Sequence, residues 1–375
     1  MSNLLKILII ITISKIIPNT IYAQKTNLGE KIYIETNVYY GFILPHHDFI
    51  AYFIEEHVKG YQVNIGIHTN SEKKWQQDYN YPNIGIGFYH SGLGNDKIFG
   101  QVNAIFAYTE RFFLKPGKKF NIGNRIAYGI SYINKKYDID RNNFDMAIGS
   151  HLNVYINYSL EGTWRITPLL TFKFGAGLIH TSNGSFCLPN KGLNLVTSFA
   201  GLQYSFHSIT RIQPLVPIDQ EDEGKDQFII TLGAGHKQIE ITHTDKTSPI
   251  ALSAEYGRKI VRNGWLGSSI NFYYDPSIQK KIEWAGDSAT HWDNLRISLN
   301  LAYELRMGKL GYIIQPGIYL KNKYTVSGII NNRLGLRYYF NQHLVAGVTI
   351  KAHWFAIADF VEFGIGYRWN NRSGK

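Results

Sequence analysis

The fold class this sequence predicts is all-β: a transmembrane antiparallel β-barrel of the outer-membrane type, with a polar lumen and about sixteen strands. Three observations predict it. The chain is rich in tyrosine (26), phenylalanine (21) and glycine (35), yet its mean hydropathy is only −0.19. Its segments alternate strictly between an apolar and a polar or small residue. Short turns alternate with longer polar loops, as they do in barrels whose periplasmic turns are short and external loops long.

The elements follow in order. Residues 1–23 have the form of a signal peptide: Lys6 at the positive end, the apolar run Ile7 to Ile11, and Ile21-Tyr22-Ala23 as the cleavage site. Lys15 interrupts the run, which is too short to span a bilayer as a helix. In Leu152-Val154-Ile156-Tyr158-Leu160 the intervening residues are Asn153, Tyr155, Asn157 and Ser159. The pattern recurs in 295–305, 310–320, 344–350 and 361–369. A soluble β-sandwich would share this alternation. Arg296, Glu304, Lys351, Glu362 and Arg368 decide against it, because they occupy the second face and would be costly in a dry sandwich core. The apolar face is therefore read as lipid-facing and the polar face as inward. Turns at 165–168, 261–264, 307–309 and 341–343 alternate with loops near 134–150, 182–193, 275–293 and 322–330. The strand count is even if both termini lie on one side, and falls to about twelve or fourteen if some segments are hairpin extensions or loop strands.

A stretch with Pro214, Pro217 and the acidic run Asp219 to Glu223 divides the chain. The expected organisation is residues 24–206 as a first barrel half, 207–226 as a periplasmic connection, and 227–375 as a second set of barrel strands. Cys187 is the single cysteine, which excludes an intrachain disulfide framework. The net charge of +11 favours anionic partners. Export makes lipid phosphates a better match than nucleic acid.

One block concentrates chemistry. His180-Thr181-Ser182-Asn183-Gly184 ends the strand Phe172 to Ser182, and Pro189-Asn190-Lys191-Gly192-Leu193-Asn194 opens the next. On a strand, residues two apart share a face, so His180 and Ser182 lie together. Their parity is that of the apolar residues Phe172, Phe174, Ala176 and Leu178. Asn194 shares the apolar parity of its own strand. All three would face lipid, at the end of the seventh strand, level with the outer leaflet. The plain alternative is a polar strand end at the membrane interface. His46-His47 and His151 invite a metal reading, but no Cys/His/carboxylate spacing supports one. Cys187 reads as a solvated loop thiol, and Tyr158, Trp164, Trp354 and Trp369 as interfacial girdle residues.

This block resembles the active-site region of the PagL family, the outer-membrane lipid A 3-O-deacylases, and in particular its long Bacteroidetes-type branch of acyloxyacyl hydrolases. Trp75 with Tyr79-Asn80-Tyr81-Pro82, and Gly149-Ser150-His151-Leu152-Asn153, carry the same resemblance, which extends to about Phe206. It implies a serine hydrolase with Ser182 as nucleophile and His180 as general base. It also implies Asn183, Asn190 and Gly184 as the loop that meets substrate and oxyanion. The family's acidic position is Asn194 here. Asparagine can fix a histidine tautomer by accepting its N–H but cannot supply a negative charge. A slower enzyme, a rescue by another carboxylate or lost activity would follow.

The expected function is removal of an ester-linked acyl chain from the lipid A of lipopolysaccharide in the outer membrane, with no metal or other cofactor. The alternative is a non-enzymatic barrel: a channel, a transporter or a structural protein. Oligomeric state is open.

Overall fold

The computed structural model describes residues 32–70, 73–114, 117–208, 224–355 and 357–371. The expected signal peptide, 1–23, and the acidic run of the 207–226 connection lie outside the described residues. Eight strands form a first closed antiparallel barrel: β1 (Ile32–Ile43), β2 (Val58–His68), β3 (Asn83–Gly92), β4 (Gln101–Phe112), β5 (Phe120–Ile133), β6 (Leu152–Arg165), β7 (Leu170–Ser182) and β8 (Leu193–Ser205). A second follows: β9 (Asp226–Gly235), then β12 (Ile250–Val261), β13 (Gly264–Tyr274), β14 (Leu295–Met307), β15 (Leu310–Lys321), β16 (Ile330–Tyr339), β17 (Leu344–His353) and β18 (Ile357–Asn371). Between β9 and β12 a two-stranded hairpin, β10 (Lys237–Glu240) and β11 (His243–Thr247), stands apart from the wall.

The all-β barrel class and the count of sixteen wall strands agree with the sequence reading, but the strands close as two barrels of eight rather than as one. The first closes where β1 pairs with β8, from Tyr33 opposite Ser205 to Ile43 opposite Leu195. The second closes where β18 pairs with β9, from Glu362 opposite Gly235 to Asn371 opposite Asp226. Alternation is local and looks the same in either closure. The deciding interactions cross the interior.

An eight-stranded barrel is just narrow enough for its own side chains to fill it. In the first barrel, Glu35 of β1 meets Arg125 of β5 at 2.8 Å and Lys173 of β7 at 3.1 Å. Lys173 also reaches Glu110 at 2.6 Å and Glu161 at 3.0 Å. Strands far apart round the wall thus neutralise one another across it, which a sixteen-stranded channel would forbid. In the second barrel Arg337 joins Glu255 and Glu304 at 2.8 Å each, and Arg333 joins Glu362 at 2.6 Å. The five inward charges expected from parity, Arg296, Glu304, Lys351, Glu362 and Arg368, are all buried. The lumen is polar, as expected, but packed rather than wet: the cavity beside Arg333 and Glu362 holds only about 10 Å³.

The outside is the inverse. Ile105 is 70% exposed and Ile365 66% exposed, in continuous apolar walls that only a bilayer would cover. No helix among the described residues is long and apolar enough to cross a membrane. The strands do the crossing. Breaking the interior network should be costly, because it strands a buried charge. Lys173→Met is expected to lower the unfolding free energy by about 3–5 kcal/mol, measured by urea unfolding of the barrel from lipid vesicles.

The two barrels lie side by side. At one end the connection between β2 and β3 is long, against the expectation of short turns there. It carries the motif residues Trp75 and Tyr79 to Pro82. This connection docks on the second barrel: Tyr79 Oη donates to the Arg306 carbonyl at 3.0 Å, and Asp78 pairs with Arg262 at 2.8 Å and Asn263 at 3.1 Å. Nearby, Thr109 of β4 hydrogen-bonds Tyr312 of β15 at 2.9 Å, and Tyr128 of β5 packs on the same ring. The other end carries the candidate site.

Candidate active site

β7 ends with His180 and Ser182 on its outward face, and Asn194 lies directly opposite His180 in the register of β7 with β8. The inward residues between them are buried, and Thr181 hydrogen-bonds Ser131 across the interior at 2.7 Å. This anchors the strand end from within. His180 Nε2 is 3.0 Å from Ser182 Oγ, and His180 Nδ1 is 2.7 Å from Asn194 Oδ1. The structure therefore brings together the three residues singled out from the sequence. Their spacing is that of a nucleophile, a base and a group that orients the base.

The loop after Ser182 is organised by Asn183. Its Nδ2 donates to Ser150 Oγ and to the Cys187 carbonyl, each at 2.9 Å, and its Oδ1 accepts the Cys187 N–H at 3.3 Å. The Asn183 backbone N–H is engaged too, by Asn190 Oδ1 at 2.9 Å. All three N–H donors of Asn183 are thus committed, two within the loop and one to Ser150. Asn190 differs: its Nδ2 is buried with no hydrogen-bond partner among the described residues. Gly184 turns the chain at φ +61 against Val361 of the second barrel, where a Cβ would lie 2.4 Å from Val361 Cγ2.

Gly192 presses on the pair from the far side of the loop. Its φ is +76, and a Cβ there would sit 3.1 Å from His180 Cε1 and 3.3 Å from Ser182 Cβ. Glycine provides both the left-handed backbone and the clearance. The Gly192 N–H donates to the Ala147 carbonyl at 2.9 Å, which ties the site to the loop between β5 and β6.

That second loop is built round Asp145, whose Oδ1 accepts the N–H groups of Ala147 and Ile148 at 3.1 Å each. Its Oδ2 is buried without a partner among the described residues. Burial pushes the Asp145 carboxyl up to about 7, against the opposing pull of the two amides. A carboxyl raised in the folded state holds a proton that the unfolded chain releases. Its loop is therefore most stable below the ordinary aspartate range and loses stability as pH rises through about 7. Hydrogen exchange at the Gly192 amide, corrected for its intrinsic rate, is expected to show less protection at pH 8 than at pH 5. Asp145→Asn should flatten that dependence.

The second barrel braces the same loop, which sequence reasoning missed. Gln238 of β10 donates its N–H to the Ser185 carbonyl and accepts the Leu188 N–H on Oε1, both at 2.9 Å. Ser185 Oγ donates to the Ala358 carbonyl at 2.7 Å. Lys246 lies 3.9 Å from the centre of the Phe186 ring. Cys187 sits in this loop with its sulfur 3.5 Å from Lys246 Nζ. His46 was also missed as part of the site: it lies against Asn194 and the Lys191 carbonyl. His151 bonds the Ile133 carbonyl at 2.7 Å and stacks on Tyr132. No group of three or more His, Cys, Asp or Glu side chains among the described residues could hold a metal ion.

Two family models match the chain. Residues 59–203 match "Lipid A 3-O-deacylase (PagL)", and residues 226–371 match "Acyloxyacyl hydrolase, C-terminal domain". No curated protein matches it. Among solved structures it is similar to the outer membrane enzyme PagL, with 15% identity and a TM-score of 0.31, over 44% of this chain and 97% of that one. Neisserial surface protein A gives 12% identity and a TM-score of 0.30, over 47% of this chain and 97% of that one. The Acinetobacter baumannii outer membrane protein Omp33 gives 8% and 0.17, over 92% and 99%.

Proposed function

The chain belongs to the PagL family of lipid A 3-O-deacylases, with that family's acyloxyacyl hydrolase C-terminal domain as its second barrel, and from this premise we propose that it is an outer-membrane serine esterase. It removes an ester-linked acyl chain from the lipid A of lipopolysaccharide. The observation that carries the reading is the continuous contact from Ser182 Oγ through the His180 ring to Asn194 Oδ1, on residues of outward parity in adjacent strands of a barrel wall.

A serine hydroxyl is a poor nucleophile until a hydrogen-bonded base takes its proton. Ser182 Oγ attacks the acyl carbonyl as its proton passes to His180 Nε2. Collapse of the tetrahedral adduct breaks the ester C–O bond, and His180 returns the proton to the departing alkoxide oxygen. Water, deprotonated by the same ring, then releases the fatty acid from Ser182. Asn190 Nδ2 is the donor left over to hold the oxyanion, a contribution of about 2–4 kcal/mol for one such donor. Asn183 keeps the loop in shape for it, and Gly184 turns that loop onto the second barrel. The exposed Lys191 and Lys246 beside the loop suit lipid A phosphates. The expected orientation sets this end of the barrels in the outer leaflet, where lipopolysaccharide resides.

Mass spectrometry of lipid A from cells making the wild type, beside cells making Ser182→Ala, tests the proposal. Loss of one acyl chain with the wild type alone supports it. An unchanged profile with both proteins folded in the membrane would return the chain to the non-enzymatic reading. The channel form of that reading predicts conductance in planar bilayers. The ion-paired interiors of both barrels argue for none.

A further inference from the structure

Asn194 poses a problem that the family's acidic residue would not. A carboxylate presents an acceptor to His180 in either orientation. A carboxamide does so in one orientation and presents an N–H in the other. In the wrong orientation, Asn194 would donate to His180 Nδ1 and force the ring's proton onto Nε2. That nitrogen could then no longer accept from Ser182. A catalytic Asn therefore needs something that fixes its amide.

The geometry points to His46, in the connection after β1, as the positioning residue that fixes it, an inference that rests on the esterase reading above. Its ring bridges two groups. Nε2 is 2.6 Å from the Lys191 carbonyl oxygen, and Nδ1 is 3.3 Å from Asn194 Nδ2. A backbone carbonyl only accepts, so His46 Nε2 carries the proton and donates. In the neutral ring Nδ1 is then a bare acceptor and takes an N–H from Asn194 Nδ2. Asn194 must turn its Oδ1 the other way, where it lies 2.7 Å from His180 Nδ1. His180 Nδ1 is thereby protonated, and Nε2 is left as the acceptor facing Ser182 Oγ at 3.0 Å. From one unambiguous backbone oxygen, every donor and acceptor along the row is determined.

The row also closes on itself through the chain. Lys191, whose carbonyl starts it, sits between Asn190, the oxyanion donor, and Gly192, which packs on the His180 ring. His46 thus sets the amide, with the Lys191 carbonyl as the fixed reference for its own tautomer. The neighbouring His47 ring packs on His46, with centroids 4.9 Å apart, and limits its rotation.

The test uses the full-length protein in detergent micelles with purified lipid A as substrate. His46→Ala is expected to lower kcat about tenfold, the orientational bias one hydrogen bond sets, with KM unchanged. His46→Gln, whose amide oxygen can accept the Asn194 N–H, should recover most of it. In an Asn194→Asp background, where no wrong orientation exists, His46→Ala should change kcat less than about twofold. An equal loss in both backgrounds, or no loss in the wild type, overturns the inference. Ring nitrogen chemical shifts of His180 supply a readout independent of turnover. The Nδ1–H tautomer should dominate in the wild type and give way to a mixture in His46→Ala. A tautomer that does not respond overturns the inference even in an active enzyme. A locked tautomer in a protein that does not cut lipid A leaves the inference standing and removes the esterase reading instead.

Discussion

Ser182→Ala is expected to leave the barrel folded and to lower the rate of lipid A deacylation by about four orders of magnitude or more, as loss of an activated serine does elsewhere. Among the described residues its hydroxyl has one hydrogen bond, to His180, so the substitution leaves no buried backbone group there unpaired. His180→Ala should cost about as much, and the double variant no more than either single one, because nucleophile and base act as a unit. The residual rate then measures what Asn190 and substrate binding contribute alone. Single-turnover kinetics on purified lipid A give all three numbers. If the two single losses multiplied in the double variant, the pair would not be acting together and the mechanism would need another base.

Asn194→Asp is expected to act in the opposite direction, raising kcat by at least about tenfold. The substitution is isosteric and keeps an acceptor 2.7 Å from His180 Nδ1. It also adds a negative charge next to the imidazolium that forms as Ser182 attacks. In a serine hydrolase the reverse change, Asp to Asn, costs about 10⁴-fold, much of it through the wrong tautomer. Here the tautomer is already secured, so the gain should fall well short of that figure. Steady-state kinetics of the variant decide the matter. A slower Asp variant would mean that the neutral amide is tuned to this site and that its partner His46 cannot adapt to a carboxylate.

Much of this was legible in the sequence, and the boundary of legibility has a physical cause. Parity along single strands placed Arg296, Glu304, Lys351, Glu362 and Arg368 inside, and His180 with Ser182 on one face of the seventh strand, because side-chain direction is a property of neighbouring residues. Asn194 followed from the next strand by the same rule. Closure into two barrels did not follow, since it depends on Glu35 finding Arg125 ninety residues away. The brace on the candidate-site loop was equally hidden: Gln238 and Leu188 are 50 positions apart, and no local pattern marks either. His46 stood in plain view as half of a histidine pair. It suggested a metal because pairs of histidines often do, and its actual neighbour lies 148 positions along the chain. The Trp75 to Pro82 motif shows the converse. It was read as part of the resemblance to the enzyme, yet it lies at the opposite end of the barrel and holds the two barrels together.

That dock gives the molecule a front and a back. β4 and β5 face the second barrel, while the site opens from β7 and β8, three strands further round the wall. A lone barrel can be approached through the membrane plane from any compass direction. Here the second barrel also stands against the loop of the candidate site, at Ser185 and Gly184, so a lipid in the leaflet reaches that edge only across the arc of wall the second barrel leaves open.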